Sequence, residues 1–409
     1  MIVAWAWPPI GRVGAMRPMG FAREWVKAGL DVHVLTGPGD RGGEYTPDLL
    51  PIAEETGAHV HRAAAPGIPR PERLVPAYVD PPPPVRVPIS RARQIAGQWR
   101  GFPDGARSWI RPAAALALQL HRQEPFDIVW TTSPPESVHF VGRALAQAGV
   151  PWIADFRDQW SDYLLARWDP VSRWIIDGLT RKMLGPAWAV TAATEGVAAS
   201  LARARGRSVL CVRNGFDREA AGDVPIRARV LGYFGRIDPE MQHPDRLWPA
   251  LRTLRDRGEP WRMEIFAVPG GGGGAEVRPP PDLGDHVFIH APVPHEEALR
   301  RMEAMAALLV LAWETRGGET TVAAKLYEYV GSGRPVLVCA PDGFEARTLV
   351  ERTGTGVGAW TTEELAAALE GLVSYDVNPH GRASLSRAHA ARELIALFEA
   401  AGKRGRAAR

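Results

Sequence analysis

Two successive series of short apolar runs, separated by helical stretches, constrain this chain more than any other property of its sequence. In the first series Ile2–Trp7, Asp31–Thr36, Asp127–Thr132, Pro151–Asp155, Trp188–Thr191 and Val209–Val212 read as strands. Ala15–Lys27, ending at Gly29, and a stretch opening at Glu136 carry helical periodicity. After Asp223-Val224-Pro225 a second series places strands at Val230–Gly235, Trp261–Val268, Val287–His290, Leu308–Ala312, Val336–Cys339 and Gly356–Ala359, with a helix over Pro244–Arg257. Strand–helix alternation of this kind predicts parallel sheets covered by helices on both faces. At 409 residues the chain is too long for one ordinary core, so two doubly wound α/β domains facing across a cleft are expected. Their ligands belong beyond the carboxyl ends of the strands. The expected boundaries are 1–215 for the first domain and 216–383 for the second. A terminal amphipathic helix over Ser384–Ala400, within 384–401, packs back towards the first domain, and 402–409 form a disordered tail.

Composition excludes several classes. No apolar run reaches the length of a membrane span, and Ala304–Trp313 suits a buried strand with its approach. Met1–Trp7 has no basic region and meets Pro8-Pro9, which fits a first strand and not a signal peptide. Cys211 and Cys339 stand alone in apolar stretches, as reduced thiols of a cytoplasmic protein do, with no metal-binding spacing and no resident metal expected. The net charge of +3 rests on 45 Arg and 4 Lys, a bias we ascribe to base composition, and no nucleic-acid motif accompanies it. Nine prolines between Pro66 and Pro88 mark a long surface loop, and Gly270–Gly274 a flexible one. Arg86–Arg122 carries seven arginines and one acidic residue, Asp104, with Trp99, Phe102, Trp109 and Ile110 between them. That segment is either a peripheral contact with an anionic membrane face or a solvated arginine face whose aromatics enter the core.

The segment Thr320–Val336 carries the most chemistry. It reads as a helix, a Gly-X-Gly exit and a buried strand, opened by Gly317-Gly318. A helix start presents unpaired N–H groups and partial positive charge, which attract phosphate. Glu328, seven residues beyond Thr321, would lie about 10 Å along the same helix face. A diphosphate at the start and a ribose diol at Glu328 match that layout.

Tyr233-Phe-Gly235-Arg236, Lys325-Leu-Tyr-Glu328-Tyr and Gly331-Ser-Gly-Arg-Pro335-Val resemble the GT-B glycosyltransferases, specifically glycosyltransferase family 4. Val212-Arg-Asn214-Gly215 looks like the hinge before the second domain. Phe102-Pro-Asp104, Thr132-Ser-Pro134-Pro135-Glu136-Ser-Val-His139 and Ile153-Ala-Asp155-Phe-Arg157-Asp158-Gln-Trp160 are similar to a bacterial surface-polysaccharide branch. The resemblance implies transfer of a sugar, with retention, from a nucleoside-diphosphate sugar to a hydroxyl on a glycan, a lipid-linked glycan or a natural product. It implies no obligatory metal and no further cofactor. The chain departs from the family twice. A lysine usual after the Gly-Arg pair is missing, so that either Arg246 substitutes or Arg236 works alone. The first glutamate of the usual Glu-x7-Glu pair falls at Thr320, with Glu319 one place early. An epimerase or phosphorylase of the same fold, and a noncatalytic nucleotide- or carbohydrate-binding module, are the competing classes.

Each candidate has two readings. Arg236 neutralises the leaving diphosphate or forms a surface ion pair. Glu328 takes ribose hydroxyls or pairs along its helix, and Lys325 reaches either the phosphate or Glu328. Thr320 and Thr321 cap the helix, a role compatible with binding. Val293, before His295, offers backbone to a base or merely turns the chain. Gly14 on the donor side and Gly11 on the acceptor side permit close approach or simply punctuate a turn. Arg17 and Arg157 hold an acceptor or enter an internal ion network. Asp155, Asp158 and His139 orient or deprotonate an acceptor hydroxyl, or they are structural.

Overall fold

The computed structural model describes residues 1–40, 45–68, 102–158, 170–220, 222, 224–238, 241–267, 277–315 and 317–407. Residues 69–101, with most of the proline-rich segment, the five glycines and Trp160 lie outside the described residues.

The first sheet contains β1 (Ile2–Val3), β2 (His33–Thr36), β3 (His59–Arg62), β4 (Val129–Ser133), β5 (Trp152–Phe156), β6 (Ala189–Ala192) and β7 (Leu210–Cys211) in the order β3-β2-β1-β4-β5-β6-β7. The second contains β8 (Arg227–Phe234), β9 (Arg262–Phe266), β10 (Val287–His290), β11 (Met305–Leu311), β12 (Val336–Cys339) and β13 (Gly356–Ala359) in the order β10-β9-β8-β11-β12-β13. All pairings in both sheets are parallel. The winding direction reverses between β1 and β4 in one sheet and between β8 and β11 in the other.

Strand residues alternate between the two faces of each sheet, and both faces are buried. Val3, Leu35, Val129, Trp152 and Ala154 enter one apolar cluster, while Ile2, Val34, Trp130 and Ile153 enter another. In the second sheet Leu231, Tyr233, Leu309 and Leu337 part in the same way from Val230, Phe234, Leu308 and Val336. Two compact units result. One comprises the described residues up to Arg213 together with the stretch from Ala390, and the other runs from Asn214 to His389. Ala390, Ala391 and Leu394 of the last helix, Arg387–Ala407, join the first unit's core, where Phe398 meets Trp25 edge-on at 4.8 Å between ring centres.

Two sequence expectations are corrected, and one strand was not foreseen. β1 stops at Val3, and Trp7 instead forms an antiparallel bridge with Ile10. β3 was not foreseen, because His-Val-His-Arg contains a single apolar residue. The last helix runs through Gly402 to Ala407 where a disordered tail was expected. Within the arginine–tryptophan segment, Trp109 is fully buried against Trp5, and Ala113 and Ala117 are buried on the helix Ile110–Gln123. Trp109, the tryptophan in the described part of that segment, thus lies in the core. Among the described residues no helix is long and apolar enough to cross a membrane. Cys211 and Cys339 are not joined in a disulfide.

Candidate functional site

In the second unit, the C-terminal end of β8 lies at the winding reversal and delivers Gly235 and Arg236. Gly235 has φ +111°, a conformation that suits glycine, and a Cβ there would sit 3.2 Å from the Lys325 Nζ. Lys325 lies in the first turn of the helix Ala324–Gly331. It donates to the Tyr233 hydroxyl at 2.7 Å and to the Arg236 carbonyl at 3.4 Å, and its ammonium lies 4.0 Å above the Tyr233 ring. Burial pushes Lys325 down to about 7, partly opposed by Glu328. The Tyr329 hydroxyl donates to the Phe234 carbonyl and accepts from the Phe234 amide, which pins the helix to the end of β8. Arg236 is exposed, and its guanidinium has no ion pair or hydrogen bond among the described residues.

Glu328 follows Lys325 by three residues on that helix, with 36% of its side chain exposed and His295 Nε2 4.0 Å from its carboxylate. Loss of hydration in this recess raises its pKa, and His295 pulls the other way. His295 opens the helix His295–Ala304, and Val293 just before it packs on the apolar cluster containing Phe266 and Met302.

The helix does not begin at Thr320. Gly318–Thr320 form a single 3-10 turn, Thr321 and Ala323 are extended, and the α-helix starts at Ala324 without a side-chain cap. The Thr320 and Thr321 hydroxyls both donate to the Gly317 carbonyl, and the Glu319 carboxylate accepts from the Gly317 amide. These three side chains fold the loop onto itself, so Thr321 and Glu328 do not share a helix face. In the first turn of that helix the Leu326 amide bonds the Ala323 carbonyl, while a helix start leaves its earliest amides without intrahelical acceptors. Arg246 forms a two-pronged ion pair with Glu314 and stacks 3.8 Å from the centre of the Trp360 ring, an engaged cation and not a spare one.

In the first unit the predicted acceptor residues separate into two groups. Asp155, at the end of β5, is fully buried and accepts from Arg17 Nε (2.9 Å), Arg17 Nη2 (2.7 Å), Thr132 Oγ1 (2.7 Å) and Thr191 Oγ1 (2.7 Å). Arg17 is 2% exposed and donates further to the carbonyls of Val212 and Arg213. This pair is an internal tie between the helix Arg12–Lys27 and the strands beside it. Neither residue is placed to hold an acceptor, which corrects both expectations. Arg157 is likewise spent, donating to the carbonyls of Ser133, Gly14 and Pro134 at 2.6–2.8 Å. A Cβ at Gly14 would meet Ala6 and Arg157, and one at Gly11 (φ +92°) would lie 2.6 Å from the Ala6 Cβ. The close approach these glycines permit is therefore to protein atoms.

His139 is fully buried, 2.8 Å from Thr131 Oγ1 through Nδ1 and stacked on Phe156 at 4.3 Å. Burial lowers its pKa to about 3, so the ring is neutral and cannot accept a proton from solvent-exposed substrate. Asp158 opens to solvent at the strand's end, yet desolvation raises its pKa against the pull of Arg157. Sequence reasoning missed Glu136. It occupies the N-cap position of the helix Ser137–Gln147, without a side-chain cap bond, at the end of β4 beside the winding reversal, and is 6% exposed. Desolvation, followed by the nearby Asp104 carboxylate, pushes it up to about 8. Asp104 is itself held by the Ser137 amide and hydroxyl at 2.7 and 2.6 Å. The signal lay in Pro134-Pro135-Glu136, where a carboxylate follows a strand end directly, but burial is not readable from that spacing.

Residues 15–215 match the glycosyl transferase 4-like domain. Among solved structures, the chain is similar to sucrose-phosphate synthase from Thermosynechococcus elongatus, at 15% identity over 97% of this chain and 98% of that one, with a TM-score of 0.58. It is similar to a glycosyltransferase from Rickettsia africae, at 11% identity over 98% of each chain, with a TM-score of 0.60. The calicheamicin glycosyltransferase CalG4 follows at 14% identity over 97% and 98%, with a TM-score of 0.51. These likenesses give the fold, GT-B. None of the curated proteins matches the chain with significance.

Proposed function

From the match of residues 15–215 to the glycosyl transferase 4-like domain, we propose that this chain is a glycosyltransferase of that kind, moving a sugar from a nucleoside-diphosphate sugar to a hydroxyl acceptor with retention of configuration. The observation that carries the donor assignment is the grouping of Arg236, Lys325 and Glu328 at the winding reversal of the second sheet, where ligands of such sheets bind. Arg236 offers an unengaged guanidinium, Lys325 an ammonium and the helix start its amides. Together they supply positive charge to a departing diphosphate. Glu328 then takes the ribose diol. Arg246, bonded to Glu314, does not replace the missing lysine on this reading. Lys325 fills that role from the helix.

No nucleophilic carboxylate is free to form a glycosyl–enzyme bond through Asp155, which is saturated by four donors. With Asp155 so engaged, the reading we favour is a same-face displacement, in which the acceptor oxygen bonds to the anomeric carbon as the phosphate oxygen leaves and takes the hydroxyl proton. Asp158 and Glu136 are the carboxyl groups of the first unit left to orient the acceptor, a glycan, lipid-linked glycan or small natural product.

Calorimetric titration with UDP and GDP tests the donor half. Glu328→Ala is expected to weaken nucleotide affinity by at least about tenfold, the loss of a charged hydrogen bond to a hydroxyl pair. Unchanged affinity would remove Glu328 from the site. Transfer lost in Arg236→Ala while nucleotide still binds would separate catalysis from mere binding.

A further inference from the structure

At the opposite end of the first sheet, the N-terminal ends of β2 and β3 gather a second set of polar side chains. His33 pairs directly with His59 across the parallel ladder, and Leu35 with His61. Residues two apart on a strand share a face, so His33, His59 and His61 project together, with Asp31 just ahead of β2. His33 Nε2 lies 3.6 Å from an Asp31 oxygen, and His59 Nε2 lies 3.5 Å from the other. The ligand atoms of Asp31, His33 and His59 all fall within 4.8 Å of one another. Glu124, just past the helix Ile110–Gln123, brings a carboxylate oxygen to 4.0 Å from the same His33 nitrogen.

We propose that Asp31, His33 and His59, with Glu124 as the fourth donor, form a binding site for a divalent transition metal ion, zinc being the best fit. Ligands about 2.0–2.2 Å from a tetrahedral ion are spaced about 3.3–3.5 Å apart, which the Asp31 oxygens and the two imidazole nitrogens already approach. Two imidazoles and carboxylates are a donor set for zinc and unsuited to magnesium or calcium, which take oxygen shells. The second shell is also built. His33 Nδ1 lies 3.0 Å from His61 Nε2, and the tautomer of His33 that donates Nδ1–H there leaves its Nε2 lone pair for the ion. His33 is 13% exposed and held in place, whereas Asp31, His59 and Glu124 are more than half exposed and leave an open path for the ion. The site lies at the strand ends remote from the loops that carry Gly14, Glu136 and Asp158, and it uses none of their residues. Its role is to tie β3, the four-residue edge strand, to β2 and to the end of the helix Ile110–Gln123.

The full chain, freed of any affinity tag and stripped with chelator, is titrated with zinc alone by calorimetry at neutral pH. One equivalent is expected to bind, zinc but not magnesium raises the melting temperature, and cobalt gives the visible absorption of a tetrahedral shell. His59→Gln, at an exposed position, is expected to lower zinc affinity at least about tenfold while leaving the melting temperature of the metal-free protein unchanged. The absence of saturable zinc binding, or equal affinity in His59→Gln, overturns the assignment. Nucleotide binding by the same sample reports separately on the donor site, so failure of one is distinguishable from failure of the other.

Discussion

Asp155 shows how a charged motif becomes architecture. Its carboxylate takes two bonds from Arg17 and one each from Thr132 and Thr191 with no exposed surface. Removing one partner of such a pair strands the other charge in the interior. Asp155→Ala is therefore expected to cost about 3–5 kcal/mol of stability, measured by urea unfolding. The double variant Asp155→Ala, Arg17→Met should recover much of that loss, because no buried charge is left unpaired. A double variant no more stable than the single one would show that the pair matters for something other than its charges. The residue types at the strand end were legible in the sequence, but their partners were not. Thr132 and Thr191 sit at positions that pair across β4, β5 and β6, and only the register of those strands brings them to Asp155. For the same reason Asp155 and Asp158, three residues apart, have opposite fates, one saturated and one open to solvent.

At the scale of elements, the turn after β8 and the helix Ala324–Gly331 act as one device. Tyr329 fixes the helix to the strand end through Phe234, and the glycine at 235 makes room for Lys325. Gly235→Ala meets both a left-handed backbone and the Lys325 ammonium. It is expected to destabilise by about 1–2 kcal/mol and to weaken nucleotide binding as Lys325 is displaced, with thermal melting and calorimetry as the readouts. Unaltered nucleotide affinity in a folded Gly235→Ala protein would detach Lys325 from the donor site. The strands of the second unit were readable within a few residues because their apolar runs are continuous. The start of this helix was not, because Gly317 captures the hydroxyls of Thr320 and Thr321 and delays helical backbone until Ala324. Short polar side chains compete for backbone groups, and no periodicity announces which will win. β3 was illegible for a related reason: a strand whose side chains are three parts polar has no apolar alternation to read.

Across the whole molecule, two buried groups of the first unit set opposing limits on stability. Glu136 has an ordinary value of 4.5 and stands at about 8 in the folded chain. Between those values the native state holds a proton that the unfolded chain has lost, so stability falls as pH rises through that window. His139 moves the other way, from 6.5 to about 3, so its contribution is lost as pH falls below 6.5. From these two groups, stability is highest on the acidic side of neutrality and declines from about pH 6.5 to 8, where Glu136 alone titrates. Glu136→Gln keeps the shape of the protonated carboxyl and cannot ionise. It is expected to match the parent at about pH 4.5 and below and to exceed it increasingly as pH rises from there, by on the order of 4 kcal/mol near pH 8. Melting curves of both proteins across this range decide the matter. Parallel curves would mean that Glu136 is already ionised at neutral pH and that its proton is not stored in the fold. Activity followed in the same series separates two uses of the carboxyl. A Gln that stabilises and still supports transfer makes Glu136 a positioning group for the acceptor, whereas a Gln that stabilises and abolishes transfer at every pH means that the reaction needs its proton.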